Sequence, residues 1–168
     1  MSRRIALVGP ESSGKTTLAR QLARELQAPW VPEFARPWFA ASAATDYTPD
    51  DVVAIARGQL ALEDELAAGA DWLVCDTTAL VCIIWAEVRF GCCPDALRAL
   101  WQPQQYAHHL LLLPDLPWQP DPLRENPLDR DALLLRYRAA LDAAGVAYTP
   151  VSGLGEARLA AALAGLQP

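Results

Sequence analysis

Eight consecutive residues, Gly9-Pro-Glu-Ser-Ser-Gly-Lys-Thr16, constrain this chain more than any other stretch. They follow the apolar run Ile5-Ala-Leu-Val8 and precede Leu18, Leu22 and Leu26, which recur at helical spacing. Strand, glycine-bounded loop and helix are the context in which this spacing builds a phosphate cradle, the P-loop. Such a loop turns its N–H groups inward, so side chains must not obstruct the anion. The helix opening near Lys15 adds free N–H groups and the positive end of its dipole. On this reading Gly9, Glu11, Ser12, Ser13, Gly14, Lys15, Thr16 and Thr17 form an ATP-binding segment. Lys15 reaches the β/γ-phosphates as a compact charge, and Thr16 offers a hydroxyl to Mg²⁺. The alternative is a glycine turn that caps an ordinary helix.

The cations single out the same position. Of the 14 Lys and Arg residues, Lys15 is the only lysine. A planar guanidinium cannot replace a compact ammonium there. The 168 residues are read as one domain, with enough apolar content (52%) for a full core but no run long enough to span a membrane. Met1-Ser-Arg-Arg enters a strand directly, so no signal peptide is expected and a soluble, cytoplasmic location follows. A net charge of −6 argues against sequence-independent binding of nucleic acid. Cys75, Cys82, Cys92 and Cys93 lack zinc-ligand spacing and are read as reduced thiols.

Further along, Trp30-Val31-Pro32 reads as a short strand, with Glu33 just past its end and a helical turn over 34–39. In a parallel sheet that place faces the ligand crevice, so Glu33 is either a base for a substrate hydroxyl or a solvated cap. Thr48-Pro-Asp-Asp51 predicts a helix start, and Val52, Ile55, Ala56, Gln59, Leu62 and Leu66 continue one face towards Gly69. Gln59 on that face is a satisfied buried amide or a ligand contact. Trp72–Cys75 is a buried strand with Asp76 at its tip, the form of a Walker B carboxylate that holds Mg²⁺ or its water. Helices follow over 79–90 and 94–101. His108–Leu113 gives the fourth strand, whose adjacent histidines point to opposite faces and cannot share a metal.

The proline-rich segment of about 114–131 reads as a mobile lid, with Asn126 and Pro127 starting a helix that carries Leu133, Tyr137 and Leu141. Arg124 and Arg130 bracket this junction, either to stabilise a transferring phosphoryl group or in surface ion pairs with Glu125, Asp129 and Asp131. Val146–Val151 gives the fifth strand, with Gly153 in its exit loop as a further ATP-site candidate, before a last helix with Leu159, Leu163 and Leu166.

Co-linear segments carry a family resemblance: GPESSGKTTL at 9–18, PEFAR at 32–36, YTPDD with IARGQ at 47–59, DT at 76–77, Trp85, Cys93-Pro94 and PWQPDPLRENPLDR at 117–130. From Ile5 to about Arg158 the chain resembles the ribosylnicotinamide kinase domain of NadR-type bacterial NAD-biosynthesis proteins. The resemblance implies an α/β nucleoside-kinase-like P-loop NTPase with five parallel strands in the order 2-3-1-4-5 and helices on both faces. It also implies ATP with Mg²⁺ as cofactors and transfer to the 5′-hydroxyl of nicotinamide riboside or a similar nucleoside. Lys15, Glu33, Arg124 and Arg130 would be catalytic, and Thr16 and Asp76 would hold the metal. Glu33, Arg36, Tyr47, Asp76, Trp85 and Trp118 would contact substrate, with Trp38 a further candidate to stack on a cationic pyridinium.

The chain departs from the family at Asp76-Thr77-Thr78, where members commonly carry a second Asp in place of Thr78. The adenylyltransferase and DNA-binding segments of the bifunctional members have no counterpart, so neither function transfers. Two competing readings stay open: a P-loop kinase for another nucleoside or small alcohol, and an ATP-binding regulatory module that transfers nothing.

Overall fold

The computed structural model describes residues 1–42 and 46–167. Among these, five strands form one all-parallel sheet: β1 (Arg3–Val8), β2 (Trp30–Val31), β3 (Trp72–Asp76), β4 (Tyr106–Leu112) and β5 (Thr149–Val151). Their order is β2-β3-β1-β4-β5, as the resemblance implied. Helices α1 (Lys15–Glu25), α2 (Ala35–Ala41), α3 (Pro49–Ala67), α4 (Ala79–Phe90), α5 (Asp95–Leu100), α6 (Arg130–Ala143) and α7 (Gly155–Ala164) connect and cover them. None is long and apolar enough to cross a membrane.

Alternation along β1 sends Ile5 and Leu7 to one face and Ala6 and Val8 to the other, as a sheet buried on both sides requires. Ile5 and Leu7 pack with Leu18 and Leu22 of α1 and Ala162 of α7. Val8 and Leu111 of β4 meet Leu80 and Ile84 of α4 and Leu133, Tyr137 and Leu141 of α6. Ala6, Leu73 and Cys75 are covered by Leu62 and Leu66 of α3. Pairing of Leu7 with Asp76 and of Val8 with Leu111 brings the tips of β1, β3 and β4 to one edge, where the P-loop begins.

Local signals set the helix ends. Thr48 and Asp51 close a reciprocal capping box with Pro49 at the first helical position of α3. Gly91 ends α4 in the left-handed conformation.

Several expected boundaries move, three of them with a visible local setting. α6 begins at Arg130 rather than at Asn126-Pro127; the chain at 125–126 is instead anchored to the P-loop, its amides donating to the carboxylate of Glu11. β5 is confined to Thr149–Val151, the span that pairs with Leu110–Leu112; Val146 and Tyr148 pack against α6 instead. β4 starts earlier, at Tyr106, and its register slips opposite Arg4 and Ile5. That slip brings Tyr106 and His109 edge to face at 5.6 Å, while His108 stacks beside Trp72 at 5.8 Å.

Candidate active site

The P-loop is shaped before any ligand is considered. A Cβ at Gly9 would stand 2.6 Å from the Leu112 carbonyl oxygen, a backbone atom that cannot yield, so only glycine lets β1 turn here. Ser13 Oγ donates to the Pro10 carbonyl at 2.7 Å and braces the turn. α1 starts behind Gly14 with no side-chain cap and no acid in its first turn, in contrast to the boxed end of α3. Its first N–H groups are thereby left for an anion.

Lys15 Nζ lies 2.9 Å from both the Gly9 and the Pro10 carbonyl oxygens. Burial lowers its pKa, with Asp76, Glu33 and Glu11 pulling the other way. Thr16 donates its hydroxyl to Asp76 Oδ2 at 2.6 Å. Asp76 is 1% exposed, and its second oxygen, Oδ1, is buried with no partner among the described residues. Burial raises its pKa to about 6, against the Thr16 hydrogen bond and the Lys15 charge. A carboxylate with a free oxygen beside a threonine hydroxyl is a donor set suited to Mg²⁺, which takes one or two carboxylates and completes its shell with phosphates and water. No cluster of three His, Cys, Asp or Glu that could cage a metal occurs among the described residues.

Glu33 follows β2 directly. Its neighbour Phe34 donates its N–H to Gln59 Oε1 at 2.8 Å, while Gln59 Nε2 reaches the Asp76 carbonyl at 3.4 Å. One buried amide from α3 thus ties the tips of β2 and β3 together, the structural role weighed for Gln59. The Glu33 carboxylate pairs with Arg36 at 3.2 Å, and Arg36 continues to Asp121 at 3.0 Å.

The segment between β4 and α6 folds across the P-loop. Gln119 donates its N–H to Ser12 Oγ at 2.9 Å, and Arg124 Nη1 reaches the same oxygen at 3.4 Å. Arg130 Nη1 donates to the carbonyls of Ser12 at 3.2 Å and Leu116 at 2.9 Å. Both arginines thus face the P-loop rather than the acids beside them in the chain.

Lys15, Thr16, Thr17, Glu33, Arg36, Asp76, Trp85 and Arg124 all line one cleft of about 330 Å³. Val81, Ile84, Trp85 and Val88 give it an apolar wall; their helical spacing reads in the sequence as ordinary core. Of the four stacking candidates, Trp85 lines the cleft. Tyr47 sits behind it, accepting from Trp85 Nε1 at 2.7 Å and donating to Glu125 at 3.0 Å, and burial pushes its pKa up to about 12. Trp118 lies on the lid with its ring 5.9 Å from the Arg130 guanidinium, and Trp38 packs beside Phe34. Gly153 donates its N–H to Asp115, while the nearby Gly155 lines the cleft. Sequence reasoning passed over Arg158, which also borders the cleft; a lone arginine in the first turn of a helix carries no pattern that would mark it.

The family model described as an AAA domain matches residues 4–158. The chain belongs to that family. The matched span of this AAA domain includes the P-loop, Glu33, Asp76 and both lid arginines, and it ends on Arg158. No curated protein matches the chain. Among solved structures it resembles the NadR protein in complex with NAD and AMP-PNP, with a TM-score of 0.73 at 20% identity over 98% of this chain and 50% of that one. NadR in complex with NR gives a TM-score of 0.69 at 21% identity, over 97% and 48%. Thymidylate kinase from Ehrlichia chaffeensis gives 0.63 at 11%, over 97% and 98%. At these identities the likeness is one of fold, and the chain spans about half the length of the NadR chains.

Proposed function

We propose that this chain is an ATP-dependent kinase, a single domain acting on the 5′-hydroxyl of nicotinamide riboside to give nicotinamide mononucleotide. One observation carries the reading: a single cleft joins the P-loop lysine, the Thr16–Asp76 pair and Glu33, with both lid arginines turned towards its phosphate end. A module that only sensed nucleotide would need no carboxylate on the acceptor side. The resemblance through PEFAR, IARGQ and the lid motif, and the fold shared with NadR solved in complex with NR, support the acceptor.

In the proposed reaction the acceptor oxygen forms a bond to the γ-phosphorus while the bond from that phosphorus to the β,γ-bridging oxygen breaks. ADP leaves with the electron pair. Glu33 orients the hydroxyl and takes its proton, late in a loose transition state. Lys15 and the α1 amides hold the β/γ-phosphates. Arg124 and Arg130 offset charge on the equatorial oxygens in flight. Mg²⁺, held by Thr16 and Asp76, would neutralise phosphate charge. Trp85 offers an aromatic face to a cationic ring. The partners are then small molecules, with no nucleic acid or membrane among them.

A second acceptor is favoured by one observation. Thr78, in place of the usual family aspartate, is 1% exposed and makes no side-chain capping bond at the start of α4. The site therefore has one acid fewer near a ribose. Incubation with MgATP and a panel of nucleosides and small alcohols, with product identified by mass, tests the proposal. Mononucleotide from nicotinamide riboside at the highest kcat/KM is expected. Preference for another alcohol would replace the acceptor, and nucleotide binding without any transfer would leave a regulatory module.

A further inference from the structure

Arg158 is placed where fold stability alone gives little reason for it. It is 4% exposed and stands in the first turn of α7, where the helix dipole disfavours a cation. Its carboxylate partner is Asp115, at 2.6 Å, whose side chain is 38% exposed. The remaining hydrogen bonds go to main-chain carbonyls: Ser13 at 2.6 Å, Leu113 at 2.8 Å and Gly153 at 2.9 Å. Nε is buried without a partner among the described residues and faces Gly14, so that a Cβ at Gly14 would lie 3.8 Å from it.

The contact with Ser13 ties this guanidinium to the P-loop. The Ser13 carbonyl belongs to the same peptide unit as the Gly14 N–H, which leads into the uncapped first turn of α1. A charged donor on that carbonyl fixes the peptide plane, and polarisation along the amide strengthens its N–H as a donor. We propose that Arg158 is a positioning residue of the nucleotide site. It holds the Ser13–Gly14 peptide with its N–H towards the phosphates and adds a buried positive charge beside the loop. Arg158 contacts the loop through the Ser13 carbonyl at the border of the cleft and takes no part in proton or phosphoryl transfer, so its effect falls on triphosphate affinity rather than on turnover. This inference rests on the proposed reading that the P-loop binds a nucleoside triphosphate.

Calorimetric titration of the whole chain with AMP-PNP and Mg²⁺ tests it, alongside steady-state kinetics. Arg158→Met should weaken AMP-PNP binding roughly 10- to 100-fold, the scale of one lost charge-assisted hydrogen bond. KM for ATP should rise in step, while kcat at saturating ATP changes less than about threefold. Asp115→Asn removes the ion pair but leaves the three carbonyl bonds, so its AMP-PNP affinity should stay within about threefold of the parent. Arg158→Lys keeps the charge and should recover part of the lost affinity even if Arg158→Met folds poorly. Unchanged affinity in both Arg158 variants would overturn the inference, as would an equal loss in Asp115→Asn. Failure of the parent chain itself to bind AMP-PNP would instead remove the reading on which it rests.

Discussion

At the scale of single residues, the site leaves polar groups without their usual partners. Among the described residues, Asp76 keeps one oxygen free although it is buried, and the first turn of α1 has neither a side-chain cap nor an acid. Stability alone would favour satisfying both. Glu33 is different, because Arg36 already pairs with it and the pair opens on the cleft. Glu33→Gln keeps the size and one acceptor oxygen but loses the charge. ATP binding and melting temperature are therefore expected to stay near those of the parent, while phosphorylation of nicotinamide riboside falls roughly 10²–10⁴-fold. Single-turnover kinetics beside a nucleotide titration would read both, and a near-normal kcat would move the acceptor anchor elsewhere.

At the scale of elements, the cleft depends on how closely α3 approaches the tip of β2. Gly58 lies inside α3, and a Cβ there would fall 2.1 Å from a ring carbon of Phe34. Helix propensity alone makes Gly58→Ala stabilising by about 1 kcal/mol. The displaced ring should reverse the sign and cost about 1–3 kcal/mol, since overpacking forces neighbours off their rotamers. Denaturant unfolding would decide, and a more stable variant would show that Phe34 yields freely. The lid supplies the second test: Arg124→Ala and Arg130→Ala should lower kcat far more than they raise KM for ATP. A loss confined to KM would make them binding groups only. Elements whose ends rest on local chemistry were legible in the sequence, as the Thr48–Asp51 box and the Gly91 stop of α4 show. The start of α6 was not. Asn126-Pro127 has the chemistry of a helix start, but the chain there is tied to the P-loop by Glu11, 115 residues earlier. Arg158 escaped notice for the same reason, since its partners Asp115 and Ser13 lie 43 and 145 residues away.

At the scale of the whole molecule, a buried polar network lies towards the edge of the sheet away from the P-loop. Glu63 of α3 is fully buried, accepts from Tyr106 at 3.0 Å, pairs with Arg4 at 3.3 Å and adjoins Cys75. Burial outweighs Tyr106 and Arg4 and lifts its pKa to about 7. The folded chain therefore holds this proton more tightly than the unfolded chain does. The associated stability is complete below the ordinary glutamate range and is lost as pH rises through about 7. Between pH 5.5 and 8 the parent should lose about 1–3 kcal/mol relative to Glu63→Gln, as read by denaturant unfolding at each pH. Parallel profiles for the two proteins would refute this. The lid has a different consequence for the chain as a whole. Glu11 and Ser12 grip it through the amides of Gln119, Glu125 and Asn126, which every amino acid except proline supplies. A latch made of main-chain atoms is indifferent to spelling. Random mutagenesis of positions 119, 125 and 126 should thus return many tolerated replacements, with proline selected against, whereas Glu11 and Ser12 should accept few.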